Sequence, residues 1–200
     1  MAKLYFRYGT VGSAKTLNLL AVAHNYRQQG KEVILLKPEI DIRFGKDQIQ
    51  SRAGLQMQAD VLVGPTTNLL EMNFNNISCI LVDEAQFFSM EHIDQLREIT
   101  LAKSIPIICY GLRTDFRTKL FPGSMRLLEI ADSIEEVKAT CFFCNRKSIM
   151  NIKHVDGKAT LDGPTVQLGA EERYLPVCYS CYHSQLEEAG QIRSSAMASR

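Results

Sequence analysis

The chain has 200 residues, of which 46% are hydrophobic and 22% are charged, and its formal net charge is +1. This composition suffices to bury a core as one domain, or as one domain with a small appendage. The near-neutral charge gives no general attraction to nucleic acid or to an anionic membrane, so we expect neither as a partner. No stretch approaches the roughly 18 unbroken apolar residues of a membrane span, and the N-terminus lacks the apolar core of a signal peptide. We therefore expect a soluble, cytoplasmic protein whose partners are small molecules.

Short apolar runs alternate with helical patterns along the first two thirds of the chain. In chain order we predict a strand at 3–8, a helix at 16–29, a strand at 33–36, a strand at 79–82, a helix at 90–103, a strand at 105–110 and a helix at 124–131. Gly30 is expected to end the first helix, Pro38 to stop the second strand, and Ser124 to cap the last helix. Residues 43–54 are polar and without a clear period, which predicts either a mobile loop near an active site or an ordinary surface loop. The order of elements favours an α/β fold with a parallel sheet and covering helices.

An imperfect phosphate loop follows the first predicted strand. It consists of Gly9, Thr10, Val11, Gly12, Ser13, Ala14, Lys15 and Thr16. In the usual pattern, G-x-x-x-x-G-K-[ST], backbone N–H groups surround phosphate oxygens, the lysine reaches the outer phosphates and the hydroxyl serves Mg²⁺. Lys15 and Thr16 keep the last two roles, whereas Ala14 replaces the second glycine and its Cβ puts the nucleotide affinity in doubt. The position of the loop between a strand and a helix nevertheless favours phosphate binding over a chance match.

Two acidic residues follow the predicted strand at 79–82. Such a strand delivers side chains to the carboxyl edge of the sheet, where α/β proteins bind their ligands. Asp83 there suits the Mg²⁺ of a bound nucleotide, and Glu84 suits a general base. The alternative is two solvated acids at the start of a loop, but the phosphate loop upstream favours the functional interpretation. Phe87 and Phe88, which come next, are predicted as core residues, although one of them could line an acceptor pocket.

The six cysteines fall into two groups. Cys79 and Cys109 lie inside apolar runs and are predicted as core residues. The other four form two CxxC pairs, Cys141, Cys144, Cys178 and Cys181. In a reducing compartment such pairs are typical of a tetrahedral zinc site, and four protein ligands leave no position open for catalysis. His183 is a possible substitute ligand, but four cysteines suffice, so we predict it as a surface residue.

The spacing of the two cysteine pairs indicates an additional loop. About 33 residues separate them, more than the roughly 15 to 20 of a compact zinc ribbon. Turn signals at 156–157 and 162–164 lie between β-like stretches, which is consistent with a long loop pinned at both ends by the metal. The change of composition after Ala139 predicts a nucleotide-binding domain at 1–138, a zinc-binding domain at 139–193 and a flexible tail at 194–200.

Five short motifs in a fixed order carry a resemblance to a known family. They are Tyr8-Gly9-Thr10 leading into Lys15-Thr16, the run from Glu39-Ile40-Asp41 to Phe44-Gly45, the run from Asp83 to Phe88, the run from Tyr110 to Phe116, and Gly169 to Tyr174 before Cys178. Their order and spacing resemble the zinc-containing cytosolic thymidine kinases over residues 3–182. The other class of thymidine kinases lacks the zinc cysteines, so the resemblance is specific to one class.

The resemblance implies transfer of the γ-phosphate of ATP to the 5′-hydroxyl of thymidine or deoxyuridine. Glu84 would take the hydroxyl proton, while Lys15, the loop N–H groups and Mg²⁺, held through Thr16 and Asp83, stabilise the charge on the phosphoryl group. The family pattern adds three residues to the ATP and Mg²⁺ site, namely Ala85, Gln86 and, on a flexible loop, Arg43.

The resemblance also implies a nucleoside pocket. The positions that line it in the family are Val11, Phe87, Leu112, Phe116 and Tyr174, with main-chain groups of Gln167, Leu168 and Gly169 at the edge of the base. Flat apolar walls with a few fixed polar groups suit a pyrimidine. Methionine is common in the family where this chain has Val11, so more room at the thymine methyl is expected, and a broader substrate range with it.

Three further properties are implied by the resemblance alone. The segment between the cysteine pairs would form a lasso over the nucleoside and exclude water. The protein would assemble as a homotetramer, and thymidine triphosphate would inhibit it by occupying both substrate sites.

Two other classes of function compete with this interpretation. A zinc ribbon joined to an ATPase core could act on nucleic acid, but the basic residues after 139 are interspersed with acids and form no stripe. A non-catalytic nucleotide binder would explain Ala14, but the retained Lys15, Thr16, Asp83 and Glu84 argue against it.

Overall fold

A computed structural model describes residues 1–165 and 173–193 of the chain. The strands are β1 (Leu4–Tyr8), β2 (Glu32–Pro38), β3 (Gln48–Gln50), β4 (Gln56–Gln58), β5 (Val61–Val63), β6 (Ile77–Val82), β7 (Ile107–Gly111), β8 (Ser133–Glu136), β9 (Met150–Val155), β10 (Lys158–Thr160) and β11 (Arg173–Val177). The α-helices are α1 (Lys15–Gln28), α2 (Met90–Lys103), α3 (Pro122–Ile130) and α4 (Tyr179–Glu188). In the part of the chain that is described, no helix combines the length and the apolar character needed to cross a membrane.

The main sheet has six parallel strands in the order β5-β2-β6-β7-β1-β8. Parallel neighbours require crossover connections, and α1, α2 and α3 lie on such connections and cover the sheet. One core layer packs under α1, and the other packs between the sheet and α2 and α3. Cys79 and Cys109 are fully buried in these layers, on β6 and β7. The predicted parallel α/β fold, the two core cysteines and all seven predicted elements are therefore confirmed, with small shifts at their ends.

Two local predictions were wrong. α3 begins at Pro122 rather than at Ser124, because proline is well suited to the first turn of a helix. Ser124 is buried inside that turn and donates its hydroxyl to the carbonyl oxygen of Leu112 at 2.5 Å, so it does not cap the helix. Residues 43–54 are not all loop, since β3 lies within them and pairs antiparallel with β4. This hairpin buries Ile49 while its glutamines remain at the surface or half-buried.

The C-terminal part has its own sheet and its own small core. β9 pairs antiparallel with both β10 and β11, and α4 packs beside them. The predicted turn at Asp156-Gly157 joins β9 to β10, and both residues have positive φ, 49° and 78°, as a tight hairpin turn requires. The core contains Ile152, Val177 and Leu186 together with Cys141 and Cys178. The four paired cysteines thus lie in this small core rather than in the main sheet.

Candidate active site

The carboxyl ends of the central parallel strands meet at one edge of the main sheet, and a cavity lies there. The loop after β1 is fixed against the end of β7, because Gly9 N–H donates to the carbonyl oxygen of Gly111 at 3.2 Å. The cavity encloses about 460 Å³. It is lined by residues 11–17, 41, 43, 44, 48–53, 83, 84 and 112. Ligands of open α/β sheets bind at this edge, so the arrangement of the chain places the candidate residues where a ligand is expected.

Lys15 lies at the centre of the loop formed by residues 9–16. Its ammonium donates to the carbonyl oxygen of Thr10 at 2.8 Å and to Oγ of Ser13 at 3.3 Å. Burial lowers the pKa of Lys15 to about 8, and the nearby Glu84 and Asp83 only partly oppose this. Because nearby negative charge only partly offsets the burial of this ammonium, an anionic ligand such as a phosphate would stabilise its charged form.

The backbone of the loop has the form that the glycine pattern demands, although alanine occupies the glycine position. Ala14 has φ 64° and ψ 24°, in the left-handed region, and it directly precedes α1. Gly12 also has a positive φ, 77°. The left-handed conformation costs a residue with a Cβ roughly 1 to 2 kcal/mol. Ala14 therefore preserves the loop geometry at the expense of local strain.

Replacing Ala14 by glycine is expected to stabilise the protein. The substitution removes strain of about 1 to 2 kcal/mol from the folded protein. It also costs about 0.5 to 1 kcal/mol of stability, because glycine has greater conformational freedom in the unfolded chain. We expect a net gain of about 0.5 to 1 kcal/mol in the free energy of unfolding, measured by denaturant titration. The matched control is Ala21→Gly at an exposed position inside α1, which should lose about 1 kcal/mol. A loss of stability in Ala14→Gly would contradict a strained loop.

Thr16 and Asp83 form a pair of oxygen donors beside the loop. The hydroxyl of Thr16 donates to the two carboxylate oxygens of Asp83, at 3.2 and 3.4 Å. Burial raises the pKa of Asp83 to about 7, and the negative charge of Glu84 adds to the rise. A hydroxyl and a carboxylate are hard oxygen ligands of the kind that Mg²⁺ prefers, so the donor set fits that ion.

Glu84 is held in a strained turn at the end of β6. Its φ and ψ are 49° and 41°, which is the left-handed region, so the side chain leaves the line of the strand. One carboxylate oxygen accepts from Arg43 at 2.5 Å and the other from the amide of Gln86 at 2.5 Å. Burial alone would raise the pKa of Glu84, but Arg43, Lys15 and the hydrogen bonds outweigh it and lower the pKa. The carboxylate is therefore ionised at neutral pH and able to accept a proton.

The wall opposite the phosphate loop comes from the hairpin of β3 and β4 and the segment before it. Arg43 makes two further hydrogen bonds to Asp41, at 2.7 and 3.0 Å, which fix it between two carboxylates. Arg52, at the tip of the hairpin, lies close to Gly12 on the phosphate loop. The sequence analysis did not identify Arg52 or the hairpin as part of the site. The alternation Gln48-Ile49-Gln50 and Gln56-Met57-Gln58 was the signal that could have revealed the strands.

The four paired cysteines form a compact cluster. Their Sγ atoms all lie within 4.8 Å of one another. None of the four is in a disulfide, and Cys178 also caps α4 by accepting from the N–H of Cys181 at 3.5 Å. Burial would raise the pKa of Cys141, but backbone N–H groups of Cys178 and neighbouring residues lower it to about 7. Four clustered sulfurs with backbone donors directed at one of them fit a structural zinc ion.

Comparison with known proteins identifies the family. The family model described as thymidine kinase matches residues 2–182. The chain belongs to the thymidine kinase family. It is 42% identical to a thymidine kinase of Lactiplantibacillus plantarum, over 91% of this chain and 96% of that protein. It is also 42% identical to a thymidine kinase of Chromobacterium violaceum, over 92% and 99% of the two chains.

The residues that the resemblance to thymidine kinases assigned to the nucleoside fall into four groups. Val11 and Leu112 line the cavity beside the phosphate loop. Phe116 and Tyr174 form a separate aromatic pair, with ring centroids 6.0 Å apart. Phe87 is half-buried, packs edge-on against Phe121 at 5.7 Å and does not line the cavity. The positions Gln167, Leu168 and Gly169 lie outside the described residues.

The ATP and Mg²⁺ positions expected from the thymidine kinase pattern divide in a similar way. Those that border the cavity are residues 11–16, Arg43, Asp83 and Glu84. Gly9 and Thr10 support the loop from behind, where the hydroxyl of Thr10 lies 2.9 Å from that of Ser148. Ala85 and Gln86 are buried and do not line the cavity. His183, which was predicted as a surface residue, is half-buried, and its ring contacts that of Tyr179 with centroids 4.6 Å apart.

Proposed function

We propose that the protein transfers the γ-phosphate of ATP to the 5′-hydroxyl of thymidine, and of deoxyuridine, as its family membership and its site suggest. The observation that carries the proposal is the meeting of Lys15, Glu84 and the pair of Thr16 and Asp83 in one cavity. In this reaction the hydroxyl oxygen bonds to the γ-phosphorus and the bond to the β–γ bridging oxygen breaks. The products are the nucleoside monophosphate and ADP.

Glu84 would act as the general base. Its carboxylate is ionised because Arg43 and Lys15 lower its pKa, and it would take the proton of the 5′-hydroxyl as that oxygen attacks. Lys15 and the N–H groups of the phosphate loop would balance the charge on the transferring group. Thr16 and Asp83 would hold Mg²⁺, which neutralises phosphate charge when it is bound. Arg43 borders the same cavity from the wall opposite the phosphate loop, and its guanidinium would assist in balancing the phosphate charge.

The nucleoside would lie between the cavity and the C-terminal sheet. Val11 and Leu112 form the apolar edge of the cavity, and the half-buried Tyr174, which packs on the buried Phe116, would supply an aromatic surface. The small side chain of Val11 leaves room beside a pyrimidine, which supports use of both thymidine and deoxyuridine.

The zinc cluster would brace the C-terminal sheet against the phosphate loop. Asn151 on β9 accepts from the N–H of Val11 at 2.8 Å, so this sheet contacts the loop directly. Arg117 donates to the carbonyl oxygens of Leu161 and Gly163 and so holds the middle of the segment proposed as a lasso. The two sheets support our proposal of a nucleotide-binding domain at 1–138 and a zinc domain at 139–193.

Three other proposals follow from the family rather than from the geometry. They are assembly as a homotetramer, inhibition by thymidine triphosphate and a cytoplasmic location. The clustered, unpaired cysteines support the last of these, because reduced thiols are typical of that compartment.

The substrate proposal is tested by supplying Mg²⁺-ATP and a set of nucleosides and measuring monophosphate formation. We expect thymidine and deoxyuridine to be phosphorylated at least tenfold faster than deoxycytidine or the purine deoxynucleosides, because membership of the thymidine kinase family implies that preference. Adenosine in place of ATP is the control, which shows that product formation requires a phosphate donor. Turnover of deoxycytidine at the same rate as thymidine would refute the proposed specificity. No turnover with any nucleoside, while ATP still binds, would instead favour a non-catalytic nucleotide binder.

A further inference from the structure

Gln86 is a buried polar residue next to the site that the reaction described above does not use. Its side chain is on the short turn Ala85–Phe87 and is 1% exposed. Its Oε1 accepts from the backbone N–H of Leu112 at 2.9 Å. Because a backbone N–H can only donate, Oε1 must face Leu112, and the amide nitrogen must face Glu84. That nitrogen donates to Oε2 of Glu84 at 2.5 Å.

Gln86 and Arg43 are the two side-chain donors to Glu84 in the part of the chain that the structure describes, and they differ in burial. Arg43 lies on the connection after β2, and its side chain is 39% exposed. Gln86 is enclosed and is tied to the main chain at the end of β7. Since Glu84 occupies a strained turn outside regular structure, its carboxylate depends on such a fixed partner for its orientation.

The neighbouring backbone is shaped to admit the amide. A Cβ added to Gly111 would lie 2.7 Å from Oε1 of Gln86 and 3.1 Å from its backbone nitrogen. No side chain other than hydrogen fits there without moving Gln86. Gly111 at the end of β7 therefore leaves the space that the amide of Gln86 occupies beside the carboxylate of Glu84.

We propose that Gln86 is a positioning residue for Glu84, linking its carboxylate to the main chain of Leu112 on the rim of the nucleoside site. This inference rests on the proposed role of Glu84 as the base. The link fixes Oε2 and leaves the Oε1 side of the carboxylate toward Arg43 and the cavity. It also joins the residue that would accept the proton to a residue that borders the nucleoside.

The test is a double-mutant cycle in thymidine phosphorylation. Gln86→Leu should lower kcat about 10- to 100-fold, because small displacements of a reacting group have effects of that order, while KM for ATP stays unchanged. In the Glu84→Gln background, Gln86→Leu should lower kcat no further, because its effect passes through the carboxylate. The matched control is Gln95→Leu in α2, away from the cavity, which removes a similar hydrogen bond from the N–H of Leu69 to a glutamine side chain and should leave kcat unchanged.

The outcomes separate this inference from the proposed function. Wild-type kcat in Glu84→Gln would refute Glu84 as the base. If Glu84→Gln is inactive but Gln86→Leu is fully active, the positioning role alone is refuted. The same conclusion follows if Gln86→Leu lowers kcat by the same factor in the Glu84→Gln background as in the wild type. If Gln86→Leu does not fold, Gln86→Met replaces it, since that side chain has a similar length and removes the donor to Glu84 without burying a second carboxyl group. A folded Gln86→Met with wild-type kcat would overturn the proposal.

Discussion

Glu84→Gln is expected to lower kcat for thymidine phosphorylation about 10²- to 10⁴-fold, the usual contribution of a general base. Glutamine has the size of glutamate, but its single amide oxygen can accept from Arg43 or from Gln86 and not from both, so the variant keeps one of the two hydrogen bonds. It cannot take a proton, however, and the attacking hydroxyl would lose its acceptor. The measurement is steady-state kinetics with Mg²⁺-ATP and thymidine, supported by single-turnover assays for the slow variant.

Two observations must accompany the loss of activity. ATP should bind Glu84→Gln with little change, because Lys15 and the phosphate loop remain intact. Glu91→Gln, at an exposed acidic residue in the first turn of α2, should keep wild-type kcat. A Glu84→Gln enzyme that phosphorylates thymidine at the wild-type rate would contradict the role of Glu84.

Loss of the metal ligands is expected to abolish both activity and the fold of the C-terminal sheet. Binding of a structural zinc ion contributes on the order of 10 kcal/mol to folding, which is comparable with the whole stability of a domain. The small core beside Cys141 and Cys178 has few apolar residues with which to compensate. Without that sheet, Asn151 would no longer accept from the N–H of Val11, and the phosphate loop would lose its support.

The zinc prediction is measured on a Cys178→Ser variant and on chelator-treated protein. We expect one zinc per wild-type chain by elemental analysis, little in the variant, and a loss of hydrogen-exchange protection in β9–β11 and α4. His183→Ala is the control, since the four cysteines make this histidine unnecessary as a ligand and zinc content should be unchanged. Metal-free protein with full activity and an unchanged melting temperature would contradict a structural role for zinc.

The main fold was predictable because its elements carry strong local signals. The apolar runs Cys79–Val82 in β6 and Ile107–Tyr110 in β7 are continuous, as is typical of strands covered on both faces, and α2 was placed with its observed ends. The hairpin of β3 and β4 was missed because the alternation of glutamine with an apolar residue spans only three residues in each strand, which makes it a weak signal. The start of α3 was misplaced because Ser124 is a strong capping residue by type, whereas its hydroxyl bonds to Leu112 across the chain.

The candidate site was predictable as a set of residue types but not as a geometry. The phosphate loop and the acids after β6 follow their strands, so their meeting at one edge of the sheet could be inferred. The left-handed turn at Glu84 could not be inferred, because it depends on contacts with Arg43 and Gln86 rather than on local sequence. Arg52 could not be identified for the same reason, since its place above Gly12 is set by the hairpin.

The most direct test of the account is a crystal structure of the protein with thymidine and a non-hydrolysable ATP analogue. The account predicts phosphates on the loop around Lys15, with the 5′-hydroxyl of thymidine within hydrogen-bond distance of Glu84. It also predicts the base beside Val11 and Leu112, toward the aromatic pair of Phe116 and Tyr174. A nucleoside bound with its 5′-hydroxyl away from Glu84, or phosphates bound outside the loop, would contradict it.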